Sequence, residues 1–392
     1  ETSYQKEVRP GRMIFCRKVL LISSSSFSSN DTPSPPPPSP SPSPQQEQQP
    51  KKEVNAKMLF VNGSCASSTQ YNSLMTSLSK LLLLLEKKNN SKNIIIECHL
   101  FDFPGFGQSS PRIHEQSVYA HDELIRDLKS MILSTLDIME GDDDDDETKM
   151  KIEEFSTSKT PLFIVAHSYG PSQTLHALSS ILDDHQDNNN NNHILSPLKG
   201  LIFLSGSLQD APNNPMRNGG HYIFYLPIFI LSYIQNILST AFVQQAFSKH
   251  TTSEKLKQEA LSMSNSNDMD ICKYFYRQTK WCTTNEVRQM KERMMVLFPL
   301  VLVIHGEEDG IIPMENGHHL YDCLTSAAEA VFQNKLSSSS TGDENERNKE
   351  RNCQDGNSLV VLAQSSHQVM EERPDDVAKY IFDFMMQHIN CG

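Results

Sequence analysis

The feature of this sequence that most restricts its fold is an alternation of short apolar runs with longer amphipathic segments. The apolar runs are continuous rather than alternating in polarity, as expected for strands that are covered on both faces of a sheet. They span residues 57–62, 94–102, 162–166, 200–205, 299–305 and 358–364, and helical patterns occur at 71–87, 115–139, 171–182, 315–332 and 374–389. This order predicts an α/β fold with a mostly parallel central sheet and helices on both faces.

One long stretch, residues 207–298, interrupts the alternation. Its patterns are helical throughout, at 222–235, 238–247, 253–263, 269–279 and 284–295. Loops that follow parallel strands gather at the carboxyl edge of the sheet, so an insertion after a strand belongs at that edge. We therefore expect a core formed by residues 57–206 and 299–392, with a helical cap inserted at 207–298 over that edge.

The first 52 residues have a different composition from the rest. Nine of the 21 prolines lie between Pro33 and Pro50, and such runs favour extended, unpacked chain. We expect residues 1–52 to form a disordered tail. Residues 13–30 are also basic, Ser-rich and free of acidic residues, which is typical of a transit peptide, so an organellar location is the alternative to a cytoplasmic one.

Charge, hydropathy and cysteine content exclude several classes of function. The net charge of −13 argues against a nucleic-acid partner, because such binding depends on basic side chains at phosphates. No apolar stretch reaches the ~20 residues that a membrane-spanning helix requires. The eight cysteines form no C-x-x-C pair, which predicts neither a zinc site nor a disulfide framework and favours a reducing, intracellular compartment. We expect no cofactor and no metal.

The segment from Leu162 to Gly170 carries the strongest catalytic signal. Four apolar residues lead into A-H-S-Y-G, which is followed by a helical pattern. This order is typical of a nucleophile elbow, a tight strand-to-helix turn that needs small residues at positions such as Ala166 and Gly170. The motif predicts Ser168 as a nucleophile at the apex of the turn, with the positive end of the helix behind it.

A nucleophilic serine needs a base, and the base needs a carboxylate that orients it. His367 directly follows the last predicted strand and is the expected base. Asp309, in the run G-E-E-D-G after the preceding strand, is the expected acid; Glu307, Glu308 and Asp210 are alternatives. The chain order of serine, acid and histidine is the one found in hydrolases of this architecture. The other histidines considered are expected to be structural: His121, His167, His176, His221, His305, His318 and His319.

The negative oxygen that forms during acyl transfer requires backbone N–H donors, each often worth roughly 3 kcal/mol. One expected donor is the amide of Tyr169, which follows the nucleophile. The other is the amide of Ser64 in the loop after the first predicted strand, where Gly63 permits the turn. Ser64 and Tyr169 are therefore the predicted oxyanion hole.

Together these residues resemble the α/β-hydrolase superfamily over residues 57–389. Within it, the chain is most similar to the abhydrolase domain-containing protein 8 group, in the elbow A-H-S-Y-G-P-S and in the cap segments 224–227, 246–247, 254–259 and 280–281. The resemblance implies an α/β-hydrolase fold and a serine hydrolase with Ser168, Asp309 and His367 as catalytic triad, acting on lipid or acyl esters. Two positions depart from the pattern: Asn62 stands where relatives usually have His, and Ala166 where they have Gly.

The expected function is cleavage of a carboxylic ester or thioester of an apolar acyl or lipid substrate by a monomer. A serine nucleophile excludes the epoxide and halide chemistry of relatives with aspartate, and Glu372 stands where lysolipid acyltransferases carry aspartate. The apolar residues at 222–247 indicate either packing onto the core or an acyl tunnel with peripheral membrane contact.

A binding or scaffold protein of weak activity is the main alternative to this function. A peptidase is a third, and would need a role for Glu254, Glu259, Asp268 or Asp270.

Overall fold

The structure is a computed structural model that describes residues 1–9, 12–23, 54–89, 94–109, 115–138, 160–184, 194–214, 219–294, 298–338 and 356–389. Its centre is an eight-stranded sheet in the order β1-β2-β4-β3-β5-β6-β7-β8. The strands are β1 (Thr2–Arg9), β2 (Arg12–Ile22), β3 (Ala56–Val61), β4 (Ile95–Asp102), β5 (Leu162–His167), β6 (Leu198–Leu204), β7 (Leu300–Gly306) and β8 (Ser358–Leu362). All strands from β3 to β8 run parallel, as the sequence predicted.

Helices cover both faces of this sheet. They are α1 (Asn72–Asn89), α2 (His121–Thr135), α3 (Gly170–Asp184), α4 (Ile228–Ala246), α5 (Glu254–Ser266), α6 (Met269–Gln278), α7 (Thr284–Met294), α8 (Met314–Ser338) and α9 (Pro374–Ile389). One apolar core joins α1 and α9 to one face, and a larger one joins α2, α3, α7 and α8 to the other. The predicted α/β class, with helices on both faces, is confirmed.

The expectation that residues 1–52 form a disordered tail is wrong for residues 2–9 and 12–22, which form β1 and β2. Strand β2 pairs antiparallel with β4 over Phe15–Ile22, and β1 pairs with β2 as an outer hairpin. The side chains of Ile14 and Cys16 are almost fully buried. The segment was misjudged because a short apolar run flanked by basic residues is common to leaders and to edge strands. The proline-rich run at 33–50 lies outside the described residues.

Buried ion pairs attach this hairpin to the rest of the molecule. The carboxylate of Asp127 in α2 is fully buried and accepts charge-assisted hydrogen bonds from two arginines of the hairpin. Its distances are 2.9 Å to Arg9 Nη2 and 2.6 Å to Arg12 Nη2. Because a buried carboxylate is costly without cationic partners, Arg9 and Arg12 compensate a charge that α2 could not carry alone.

Helices α4 to α7 lie between β6 and β7, within the stretch 207–298. The two helices predicted at 222–235 and 238–247 form one continuous helix, α4, preceded by a 3-10 turn at Gly220–Tyr225. Pro227 stands just before the first residue of α4, where a missing N–H costs nothing. Among the described helices, none is both long enough and apolar enough to span a membrane.

Candidate active site

The turn between β5 and α3 places Ser168 in a conformation that few non-glycine residues adopt. Its φ angle is +60°, and its N–H donates to the carbonyl oxygen of Leu204 over 2.9 Å. A Cβ atom on Gly170 would lie 2.9 Å from the carbonyl oxygen of Val61, whereas Ala166 fits behind the turn and is fully buried. The surrounding backbone therefore imposes the strained turn, and alanine at position 166 does not disturb it.

His367 lies at the end of the loop that follows β8 and faces Ser168. Its Nε2 is 2.9 Å from Ser168 Oγ, and its Nδ1 is 2.8 Å from Asp309 Oδ2. Because the carboxylate accepts the Nδ1 proton, Nε2 is left unprotonated and can accept the proton of the serine hydroxyl. The structure thus brings together the three side chains that the sequence singled out.

Three hydrogen bonds hold the carboxylate of Asp309 in place. Oδ1 accepts from the amides of Ile311 and Ile312, at 2.9 and 2.8 Å, and Oδ2 accepts from His367. The ring of His305 lies beside the same oxygen, with Nε2 3.3 Å from Oδ2. Burial alone would raise the pKa of Asp309, but His367 and His305 outweigh it and hold that pKa below its usual range. The group is therefore a stable anion.

The alternative acids lie elsewhere. Glu308 Oε2 accepts from the hydroxyl of Ser248 at 2.7 Å, and Glu307 Oε2 from the amide of Gln364 at 3.4 Å. Asp210 accepts from the amide of Thr284. Of the four carboxylates considered, Asp309 is the one that contacts His367.

Two histidines interpreted as structural directly support the triad. His167 Nε2 donates to the backbone carbonyl oxygen of His367 over 3.0 Å, and the two rings lie 4.8 Å apart. Burial, together with the nearby His367, lowers the pKa of His167 to about 3, so its ring is neutral. His305 donates to the carbonyl oxygen of Ile312 and faces Asp309. The sequence does place both histidines at or next to the end of a strand, at the sheet edge that carries Ser168, and this position was the signal that could have shown their role.

Glu372 links the loop of His367 to the insertion. Its Oε2 accepts from the amide of Ser366 at 2.6 Å, and its Oε1 accepts from the amide of Ser248, also at 2.6 Å. Ser248 lies just beyond α4. The carboxylate therefore fixes the loop that carries His367, which is a role that the sequence did not reveal.

The loop after β3 passes directly beside the nucleophile. A Cβ atom on Gly63 would lie 2.9 Å from Ser168 Cβ, so Gly63 permits this approach. Asn62, at the position where relatives usually have His, is fully buried; its Nδ2 donates to Phe101 O, and its Oδ1 accepts from Gln70. The loop that ends in Ser64 is thus anchored without the usual histidine.

Tyr169, on the other side of Ser168, is fixed by its side chain. The buried hydroxyl donates to the carbonyl oxygen of Lys280 at 2.8 Å and accepts from the amide of the same residue at 3.2 Å. A further hydrogen bond, from His121 Nδ1, completes the set at 3.1 Å. The residue that follows the nucleophile is therefore bound to the segment between α6 and α7.

The comparisons agree with this architecture. The profile of the Alpha/beta hydrolase family matches residues 58–380, and the chain belongs to that family. Solved structures of similar fold include a bromoperoxidase from Bacillus anthracis, with TM-score 0.56, 10% identity and 98% of this chain and 100% of that chain covered. An esterase from Exiguobacterium antarcticum aligns with TM-score 0.56, 11% identity and 96% and 97% coverage.

A putative lipase from Acinetobacter baumannii has TM-score 0.54 at 13% identity, with 100% of this chain and 93% of that chain covered. At such identities these likenesses define the fold and not the substrate. No curated protein matched the sequence.

Proposed function

We propose that this member of the α/β hydrolase family is a serine hydrolase that cleaves carboxylic esters or thioesters of apolar acyl groups. The observation that carries the proposal is the series of contacts from Ser168 Oγ through the ring of His367 to Asp309, at 2.9 and 2.8 Å. Such a series lets a hydroxyl proton move to the imidazole as the oxygen attacks.

The reaction would proceed in two acyl transfers. Ser168 Oγ attacks the carbonyl carbon while His367 Nε2 takes the hydroxyl proton, and the amides of Ser64 and Tyr169 donate to the oxygen that becomes negative. The imidazolium then gives its proton to the leaving alcohol or thiol, and the acyl group stays on Ser168. Water repeats the sequence, so that the acid is released and the serine regains its proton.

The insertion at 207–298 would act as a cap. Three of its backbone or side-chain groups reach loops of the triad edge: Gln245 O accepts from Gly310 N, Ala246 O accepts from Gln368 N, and Asn267 Nδ2 donates to Cys65 O. These loops carry the acid, the base and the expected oxyanion donor Ser64. A substrate would therefore enter between the insertion and the sheet edge.

The outer surface around α4 supports an apolar substrate and a peripheral contact with lipid. Tyr222, Phe229, Tyr233 and Ile237 are each at least 66% exposed. The i, i+4 spacing of the last three places them near one side of α4, and Tyr222 lies in the 3-10 turn before the helix. The exposed Arg277 lies beside this surface, with its guanidinium 4.8 Å from the ring centre of Tyr225. Large exposed apolar groups with basic neighbours are typical of segments that rest on a membrane surface.

The narrower resemblance to the abhydrolase domain-containing protein 8 group remains part of the proposal, as does a monomeric state. Six described cysteines are free thiols, which supports the proposed intracellular, reducing compartment: Cys16, Cys65, Cys98, Cys272, Cys282 and Cys323.

The test is covalent labelling with a fluorophosphonate, followed by peptide mapping. We expect labelling at Ser168 in the folded chain, none in Ser168→Ala, and unchanged labelling in Ser117→Ala, which removes an exposed serine remote in sequence. A label that survives in Ser168→Ala would contradict the assignment of the nucleophile. A folded wild type that takes no label would instead favour the alternative of a binding or scaffold protein.

A further inference from the structure

A second group of chemically active side chains lies between α3 and α7. One donor atom each from His176, Cys282 and Glu286 lies within 4.8 Å of the other two. The three residues line a pocket of about 280 Å³, and Ser168, Asp309 and His367 are not among its lining residues. This cluster is therefore separate from the triad.

His176 has no ordinary hydrogen-bond partner for its ring. Both ring nitrogens are buried and make no hydrogen bond among the described residues. The nearest carboxylate oxygen, Glu286 Oε2, is 3.7 Å from Nε2, which is too far for a hydrogen bond. Because buried polar atoms in folded proteins are nearly always satisfied, a ring in this state calls for a partner from outside the protein, either water or a bound ion.

The other two donors are already oriented by their neighbours. Glu286 Oε2 accepts from the amide and the hydroxyl of Thr283, at 2.7 and 2.8 Å, as in a capping box at the start of α7. The amide of Cys282 donates to Ser172 Oγ in α3 over 3.1 Å. Neighbours of this kind fix ligand side chains before an ion arrives.

We propose that His176, Cys282 and Glu286 bind a divalent transition-metal ion of the zinc class. Imidazole nitrogen, thiolate sulfur and carboxylate oxygen together are ligands that zinc prefers, with bonds of about 2.0–2.3 Å. Such bonds place ligand atoms roughly 3.5 Å apart, so modest side-chain rotation from the present separations completes the set. The pocket leaves room for water as the fourth ligand.

On binding, the metal ion would replace one proton of the site. The thiol of Cys282 loses its proton to solvent as the sulfur–metal bond forms, while His176 binds as neutral imidazole and Glu286 as carboxylate. No oxidant or reductant is required. The sequence did not reveal this cluster, because His176 is distant in the chain from Cys282 and Glu286 and only the fold brings it beside them.

The ion would link the core to the insertion near the nucleophile. His176 lies on α3, which begins at the elbow, whereas Cys282 lies just before α7 and Glu286 in its first turn. Lys280, whose backbone holds the hydroxyl of Tyr169, is two residues before Cys282. We therefore expect the metal to stabilise the fold and the segment that supports Tyr169, independently of whether the triad is active.

The experiment uses the full chain after treatment with a chelator. Equilibrium dialysis against Zn²⁺ should give one bound ion per chain, with a rise of several degrees in Tm. Co²⁺ in place of Zn²⁺ should produce a thiolate-to-metal charge-transfer band, which reports on coordination by cysteine. The band should disappear in Cys282→Ser and weaken strongly in His176→Ala.

Two matched variants distinguish this site from adventitious binding. Cys323→Ser removes another thiol near α7, and His318→Ala removes an exposed imidazole; both should keep the stoichiometry and the band. Absence of stoichiometric metal from folded wild type would overturn the proposal, as would a band that survives in Cys282→Ser. Because the wild-type stoichiometry needs no variant, a misfolded mutant would not decide the question.

Discussion

The ring of His167 donates from Nε2 to the backbone carbonyl oxygen of His367 over 3.0 Å, so the residue before Ser168 holds His367 in place. The two rings lie 4.8 Å apart, and a proton on both would place two positive charges in a buried space. This geometry keeps His167 neutral. It also makes the stability of the fold depend on pH.

The first prediction concerns this dependence. The pKa of His167 is lowered to about 3 in the folded state, chiefly by burial, whereas the pKa of an unfolded histidine is about 6.5. Below about pH 6.5, His167 binds a proton in the unfolded chain but not in the folded chain. Protonation therefore favours the unfolded state, and the free energy of unfolding falls as the pH is lowered from about 6.5 toward 3.

When the pH falls from 7 to 5, the titration of His167 should lower the free energy of unfolding by about 2 kcal/mol. Urea denaturation of wild type and His167→Gln at both pH values measures this difference. The free energy of unfolding should depend less on pH in His167→Gln, since glutamine can donate to His367 O without titrating. His318→Gln, at an exposed site, should keep the wild-type slope; an equal flattening there would count against the assignment.

The second prediction concerns the acid of the triad. Asp309→Asn should lower kcat/KM for a short aryl ester by roughly 10³–10⁴-fold, because the amide leaves the imidazole in the wrong tautomer. Glu307→Gln alters an exposed neighbouring carboxylate that does not contact His367, and should retain wild-type activity. Similar losses in both variants would mean that Asp309 has no special part in the reaction.

The third prediction concerns Glu372, which joins the loop of the base to the end of α4. Glu372→Ala leaves the amides of Ser366 and Ser248 without an acceptor, so His367 should lose its fixed position. We expect kcat to fall by about tenfold or more while KM changes less.

Glu372→Gln keeps an oxygen acceptor and should recover much of the lost kcat. Steady-state kinetics of wild type and both variants provide the measurement. If Glu372→Gln were as impaired as Glu372→Ala, the negative charge rather than the positioning contact would be responsible.

The fourth prediction tests how closely the loop after β3 approaches the elbow. A Cβ atom on Gly63 would lie 2.9 Å from Ser168 Cβ and 3.1 Å from His167 Nδ1. Gly63→Ala should therefore displace the loop that carries Ser64 and reduce kcat for the aryl ester with little loss of secondary structure by circular dichroism. Unchanged kcat would show that the loop can shift without affecting the nucleophile.

The parallel core could be predicted because each of its strands is a continuous apolar run with a helical pattern beside it. Ser168, Asp309 and His367 could be located because each follows such a strand, and strand ends meet at one edge. By contrast, the contacts of His167 with His367, and of Glu372 with Ser366, depend on loop conformations that no periodicity encodes.

The antiparallel hairpin β1–β2 was missed for a different reason. The pairing partner of β2 is β4, far along the chain, and only that partner distinguishes a buried strand from an apolar leader. Local composition cannot supply this information, because strand stability depends on cross-strand contacts.

The last prediction tests this hairpin through two positions on one strand. Ile14 is fully buried in β2, whereas Leu20 on the same strand is 48% exposed. Removing a buried aliphatic side chain costs about 2–5 kcal/mol, so Ile14→Ala should lower the free energy of unfolding by an amount in that range. Leu20→Ala should cost about 1 kcal/mol or less, since much of its side chain stays in water. Denaturation in urea measures both, and two equal effects near zero would mean that residues 12–22 do not pack against the sheet in solution.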